Sequence, residues 1–252
     1  MCQVVFVGAG PGDPELITLK GIKAIEQADV VIYAGSLVNP EILRYAKEGA
    51  KVYNSAGMTL EQVLKVTEEA VAAGKKVARV HTGDPSIYGA IQEQMDALAE
   101  KGISYSVIPG VSSFLAAAAS LKREYTLPGV SQTIVLTRLE GRTPVPERES
   151  LKELAKHRAT MGIFLSVQDI ERVVSELGAG YAAETPVAVV YKASWPEEKV
   201  LRGTLADIAA KVRQEGVAKT ALILVGEFLG DTYERSLLYH PGFSHGFRES
   251  SQ

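Results

Sequence analysis

Apolar residues in this chain fall into two alternating rhythms. Short β-branched runs over residues 3–8, 30–33, 51–53, 76–80 and 105–108 predict strands. Between them the spacing predicts helices over 14–27, 40–47, 60–73, 87–101 and 112–121. Leu60, Val63, Leu64, Thr67 and Val71, for instance, keep the i, i+3, i+4 spacing of one buried helix face. Asp13 is placed as an N-cap with Pro14 at the first helical position, and Gly74 and Gly102 follow helical runs as C-terminal glycines do. Such alternation implies a mostly parallel sheet covered by helices.

After Leu121 the texture changes. Residues 122–129 have no clear period and read as a connection. A second series follows, with strands over 133–139, 160–165, 186–191, 200–203 and 221–225 and helices over 150–156, 169–178 and 205–215. The gap Trp195-Pro196-Glu197-Glu198 separates two strands without a helix, which predicts a hairpin and some antiparallel pairing. The expected fold class is therefore α/β with two domains. Residues 1–115 carry a mostly parallel sheet and residues 116–252 a mixed one. Residues 231–252 are polar and are expected to run over the surface.

Bulk properties narrow the partners. A length of 252 residues suits one large or two smaller α/β domains. A net charge of −3 offers no basic field for nucleic acid or an anionic membrane. The single cysteine, Cys2, leaves no internal disulfide and no Cys-rich metal cluster, which fits a reducing cytoplasm. The N-terminus lacks a signal-peptide pattern, and the longest apolar stretch, around Phe114 to Leu121, is too short to span a bilayer. A cytoplasmic protein is expected, with no nucleic-acid or membrane partner.

Three strand ends carry turns with chemical content. Gly8-Ala9-Gly10-Pro11-Gly12-Asp13-Pro14 follows the first strand, Thr82-Gly83-Asp84-Pro85 the fourth, and Pro109-Gly110-Val111-Ser112-Ser113 the fifth. In open α/β folds, ligands bind beyond the carboxyl ends of the strands. The first turn resembles a dinucleotide fingerprint but lacks its third glycine, because Asp13 stands there. A carboxylate at that helix start would repel a pyrophosphate. Asp84 reads either as the cap of a helix opening near Pro85 or as an acid facing a small cationic or polar ligand. His240 and His245, five apart, do not share a helical face, and no acid cluster joins them, so no metal site is expected.

The segments Val7-Gly8-Ala9-Gly10-Pro11-Gly12-Asp13-Pro14-Glu15-Leu16, Arg79-Val80-His81-Thr82-Gly83-Asp84-Pro85 and Pro109-Gly110-Val111-Ser112-Ser113 resemble the conserved segments of the tetrapyrrole (class III) S-adenosylmethionine-dependent methyltransferases. Residues 159–165 and 185–194 extend the likeness, so that it covers roughly residues 3 to 228. Within that family, Thr137-Arg138-Leu139-Glu140-Gly141-Arg142-Thr143-Pro144-Val145-Pro146-Glu147, with residues 191–196 and 238–248, is similar to the members that methylate C11 of precorrin-4 or cobalt-precorrin-4 in cobalamin biosynthesis.

The resemblance implies two α/β domains with the cofactor cleft between them, usually as a homodimer. It implies S-adenosyl-L-methionine as donor, S-adenosyl-L-homocysteine as product and a tetrapyrrole as substrate. The cofactor shell carries over onto Pro11, Thr82, Gly83, Asp84, Ile87, Ser112, Ser113, Leu165, Ala193, Thr220 and Ala221. A substrate rich in carboxylates calls for cations, and Arg138, Arg142, Lys192 and Arg248 are the candidates. Arg79 and Glu140 are candidates for assisting proton removal; Cys2 is a poor catalytic candidate. The alternatives are methylation of another ring carbon by the same family, a nucleotide-dependent oxidoreductase and a binding protein without turnover.

Overall fold

Each apolar run becomes a strand because helices cover both faces of the sheet it joins. The computed structural model describes residues 3–250, so Cys2 lies outside the described residues. In the first half the strands are β1 (Val4–Gly8), β2 (Val30–Tyr33), β3 (Lys51–Asn54), β4 (Val77–His81) and β5 (Tyr105–Ile108), in the order β3-β2-β4-β1-β5. All the pairings among them are parallel. On one face Val7, Val31, Ala78, Val80 and Ile108 bury against Ile25 of helix α1 (Leu19–Gln27). On the other, Val4, Phe6, Val30, Ile32 and Val77 meet Val63 and Ala70 of α2 (Leu60–Ala72) and Leu98 of α3 (Gln92–Glu100). Two covered faces favour apolar residues at successive positions, hence the runs in β1 and β2; β4 carries the buried exceptions Arg79 and His81.

The second half forms β6 (Ile134–Arg138), β7 (Thr160–Phe164), β8 (Pro186–Tyr191), β9 (Lys199–Thr204) and β10 (Ala221–Val225), in the order β6-β7-β10-β8-β9. β6 and β7 are parallel, while β10 runs antiparallel to β7 and β8, and β8 to β9. The mixed sheet and its hairpin match the sequence expectation. Its core gathers Met161, Ile163, Val187, Val189, Ile223 and Val225 with residues of α5 (Leu151–Ala155), α6 (Ile170–Leu177) and α7 (Ile208–Gln214).

The chain divides into two units. One comprises the described residues through Ala117 together with Lys192–Glu198; the other comprises Ala118–Tyr191 and the described residues from Lys199 onward. The division falls inside α4 (Ser113–Leu121). The turn of the β8–β9 hairpin thus belongs to the unit of the parallel sheet. No helix among the described residues is long and apolar enough to cross a membrane.

Three predicted helices depart most from expectation: residues 40–47 form only a 3-10 helix, Pro40–Tyr45, and two others are shorter than expected. The run from Pro14 is a helical turn, Pro14–Leu16, capped by the Asp13 carboxylate on the Glu15 N–H; Ile17 and Thr18 are extended, and Thr18 caps α1 anew. The run from Ile87 becomes helical only at Gln92, because Tyr88 (φ 55°) and Ala90 (φ 48°) take left-handed conformations that end any helix.

Candidate active site

In the parallel sheet, β4 and β1 are neighbours whose onward connections run in opposite directions, toward β5 and β2 respectively. Ligands of open α/β sheets bind at such a reversal, outside the carboxyl ends. There the three glycine turns meet. The Gly10 N–H donates to the Gly83 carbonyl at 3.3 Å and the Gly83 N–H to the Gly10 carbonyl at 2.8 Å. A Cβ at Gly8 would overlap Gly110 Cα (2.6 Å) and the Gly83 carbonyl (2.7 Å), so only glycines allow the turns to touch.

Asp84 is the hub, and it does not cap a helix near Pro85. One carboxylate oxygen accepts the Gly110 N–H at 2.8 Å, and the other accepts the Ser86 N–H at 2.8 Å and the Ser86 hydroxyl at 2.5 Å. Burial pushes this carboxyl up, but the bonds from Ser86 and Gly110 outweigh it and hold it below the usual range. Gly83 sits at φ 59° with Ser112 Cα 3.4 Å from where its Cβ would be. Pro11, Gly83, Ser112 and Ala193 are buried, and Thr82, Asp84, Ile87 and Ser113 half-buried. The first unit therefore brings together Pro11, Thr82, Gly83, Asp84, Ile87, Ser112 and Ser113 around these turns.

The other sequence candidates lie elsewhere. Arg79 projects from β4 onto the face covered by α2 and α3. It donates Nε to Gln94 Oε1 at 3.1 Å and Nη1 to the Ile32 carbonyl at 3.2 Å. Burial lowers it to about 10, so it remains a cation at neutral pH. Lys192 lies 4.8 Å above the Trp195 ring and 3.5 Å from the Glu197 carboxylate. In the second unit the ends of β6, β7 and β8 and the start of β10 share one sheet edge. That edge carries Arg138, Leu165 (φ 54°, exposed), Thr220 (φ 54°) and Ala221. Arg138 is already bound to the carbonyls of Leu139, Thr143 and Pro144. Glu140 pairs with Arg172 at 3.9 Å, and Arg248 ties together its own tail through the carbonyls of Leu238, His240 and Phe243. Arg142 is exposed and makes no hydrogen bond or ion pair among the described residues.

Sequence reasoning missed the residues that brace the first turn. The Asn39 side chain donates to the Gly12 carbonyl at 2.8 Å, and Trp195 Nε1 donates to the Pro11 carbonyl at 3.0 Å. The only local signal was a lone tryptophan in a hairpin turn.

The pattern of the Tetrapyrrole (Corrin/Porphyrin) Methylases matches residues 3–209. The chain belongs to this family. It is 62% identical over 250 residues to the cobalt-precorrin-4 C(11)-methyltransferase of Methanocaldococcus jannaschii, covering 98% of this chain and 96% of that one. The X-ray structure of a cobalamin-biosynthetic cobalt precorrin-4 methyltransferase superposes with a TM-score of 0.88 at 49% identity, covering 90% and 96% of the two chains. A uroporphyrin-III C-methyl transferase from Thermus thermophilus, complexed with S-adenyl homocysteine, gives a TM-score of 0.75 at 29% identity, covering 92% and 96%.

Tetrapyrrole methylases depend on S-adenosylmethionine, and the residues here fit that donor. The three turns contain no lysine or arginine but carry Asp13 and Asp84, negative charge that disfavours a pyrophosphate. They offer instead the Asp84 carboxylate (that of Asp13 caps the turn at Glu15), the hydroxyls of Thr82, Ser112 and Ser113, and glycine backbone, which suit an ammonium group and ribose hydroxyls.

His81 ends β4 just beneath the hub. Its Nε2 is buried without a partner, and burial together with the Arg79 charge pushes its pKa down to about 3. A base whose folded value lies below its ordinary 6.5 costs stability as pH falls below 6.5, by about 1.4 kcal/mol per unit. Between pH 7 and 5 the unaltered protein should therefore lose about 2 kcal/mol that His81→Leu does not lose. Urea midpoints at the two pH values measure the difference; parallel losses would mean that His81 is not buried neutral.

Proposed function

We propose that this chain transfers the methyl group of S-adenosylmethionine to C11 of precorrin-4, metal-free or cobalt-bearing, in corrin-ring biosynthesis. The observation that carries the reading is the meeting of three glycine turns at the reversal of the parallel sheet, the first bonded to Gly83 and the third to the Asp84 carboxylate. Full-length relatives named for this reaction support the choice of substrate and carbon.

S-adenosylmethionine, when bound, supplies a methyl group made electrophilic by its sulfonium. No nucleophilic side chain is needed, because the substrate's ring carbon attacks directly; the protein positions the reactants and excludes water. In this reading Pro11, Gly83, Ser112 and Ala193 lay backbone and small side chains against the donor. Thr82, Asp84 and Ser113 bind its polar groups. Ile87 adds an apolar side chain to the part of the shell that the first unit supplies. Of the candidate cations for the substrate's carboxylates, Arg138, Lys192 and Arg248 already hold partners, so Arg142 leads. Arg79, protonated and buried, serves as a fixed positive charge; of the two residues singled out for proton removal, Glu140 is the carboxylate. Two domains divided near residue 115, a homodimer and a cytoplasmic setting belong to the same reading. Exposed apolar side chains in the tail, Leu237, Tyr239 and Phe247, support self-association.

Anaerobic incubation with the donor and either form of precorrin-4 should yield a product heavier by one methyl group, located at C11 by NMR. A methyl at another carbon assigns a different step, and thermal stabilisation by NAD(H) but not by S-adenosylhomocysteine ends the reading. Arg142→Ala should raise KM for the tetrapyrrole roughly tenfold and leave KM for the donor unchanged. Equal effects on both would argue against a carboxylate contact.

A further inference from the structure

The first glycine turn is held by a segment nearly two hundred residues away in sequence. Lys192–Glu198 leaves the β8–β9 hairpin and belongs to the unit of the parallel sheet. Ser194 Oγ accepts the Asp13 N–H at 3.0 Å, and Trp195 Nε1 donates to the Pro11 carbonyl at 3.0 Å. The indole fills the space beside Gly12 so completely that a Cβ there would overlap its Cδ1 and Nε1. The strap is itself fixed. The Ser194 N–H donates to the Glu198 carboxylate at 2.6 Å, and Lys192 stacks on the outer indole face while pairing with Glu197. Lys192 (φ 48°) and Ser194 (φ 69°) both hold left-handed conformations that side-chain-bearing residues rarely adopt. Strain of this kind persists where surrounding contacts enforce it, and it clusters at functional sites.

We infer that Trp195 is a positioning residue for the methyl donor. Its indole and Nε1–H fix the Gly10–Pro11–Gly12 backbone in the one shape that presents Pro11 to the donor. Left to itself, a turn containing two glycines samples many backbone conformations and pays an ordering cost whenever a ligand binds. The strap removes that cost in advance, and Gly12 is glycine because the indole takes the place of its side chain. This inference rests on the methyltransferase reading, since it concerns the donor's site.

Trp195 is the chain's single tryptophan, so its emission reports this contact alone. Saturating S-adenosylhomocysteine should shift the emission of the unaltered protein. Trp195→Phe, which keeps a ring but loses the N–H, should raise donor KM roughly three- to tenfold, with tetrapyrrole KM unchanged. Trp195→Ala should raise donor KM further. Gly12→Ala should be severe in the unaltered background and nearly silent beside Trp195→Ala, because the clash disappears with the indole. A merely structural role would lower the active fraction and the melting temperature without this split between the two KM values. If Trp195→Ala does not fold, Trp195→Phe and the emission shift decide alone. Calorimetric binding of S-adenosylhomocysteine with unmoved emission, or unchanged donor KM in the variants, overturns the inference. Absence of any such binding by the unaltered protein overturns the methyltransferase reading as well, and the two failures are thereby told apart.

Discussion

Asp84→Ala should weaken S-adenosylhomocysteine binding roughly 100-fold, about 3 kcal/mol. The carboxylate does two things that alanine cannot. It accepts the Gly110 N–H and the Ser86 N–H, which closes the fourth-strand turn against the fifth, and it presents negative charge at the site. Hydrogen bonds to an ionised acceptor contribute about 1.5–3 kcal/mol each. Charge is separated from shape by Asp84→Asn. Because the folded carboxyl titrates below its ordinary value of 3.8, its contribution to stability is complete above that pH and fades as pH falls through the folded value. The stability gap between the unaltered protein and Asp84→Asn should therefore be open at pH 7 and close in acid below about pH 4. Calorimetry gives the affinity, and denaturant titrations across pH give the gap. Unchanged affinity in Asp84→Ala would remove the residue from the site, and a gap that does not narrow as pH falls below about 4 would mean that the charge is irrelevant.

Gly110→Ala should destabilise the fold by about 3 kcal/mol, the upper end for overpacking, and lower Tm by about 6–12 °C. A Cβ at Gly110 would overlap the Gly83 carbonyl and lie 2.8 Å from Gly8 Cα. Both obstacles are backbone at the ends of inner strands, so no rotamer change relieves them. Gly57, with nothing within 4 Å of its would-be Cβ, is the control, and Gly57→Ala should stay within about 0.5 kcal/mol. If Gly110→Ala melts with the control, the three turns do not touch as described.

Much of this architecture can be read along the chain because strand formation here depends on local pattern. The run Val30–Tyr33 reads as a strand and is one, and so do Tyr105–Ile108, Pro186–Tyr191 and Ala221–Val225. Each lies in a sheet interior or beneath a helix layer, where a β-branched run is what burial demands. The expectations that failed are those in which a side chain serves a distant partner. Of the two readings open for Asp84, the helix cap is the one that fails: its oxygens are engaged by Gly110 and Ser86, and the helix waits until Gln92. Ile17 continues the helical spacing after Pro14, yet it is buried in the core with extended backbone, and Thr18 restarts the helix.

The chemistry was legible to the same degree. The three glycine turns announce themselves at strand ends, and the sheet order brings them together. Arg138 and Lys192 read as substrate cations because their charge is visible in the sequence. Their partners, the carbonyls of Thr143 and Pro144 and the indole of Trp195, are not. No periodicity links Trp195 to Pro11 or Ser194 to Asp13, because such pairs depend on how the chain returns on itself.

The bonds from Ser194 and Trp195 reach back 181 and 184 residues. A nascent chain emerges at about 5–20 residues per second, so the opening turn leaves the ribosome on the order of 10–40 s before its brace. All five strands of the parallel sheet precede Lys192 in the chain, so they emerge before the brace does. A chain stopped short of Lys192 would lack the residues that fix its first loop, so the shape of that loop waits on a later part of the chain.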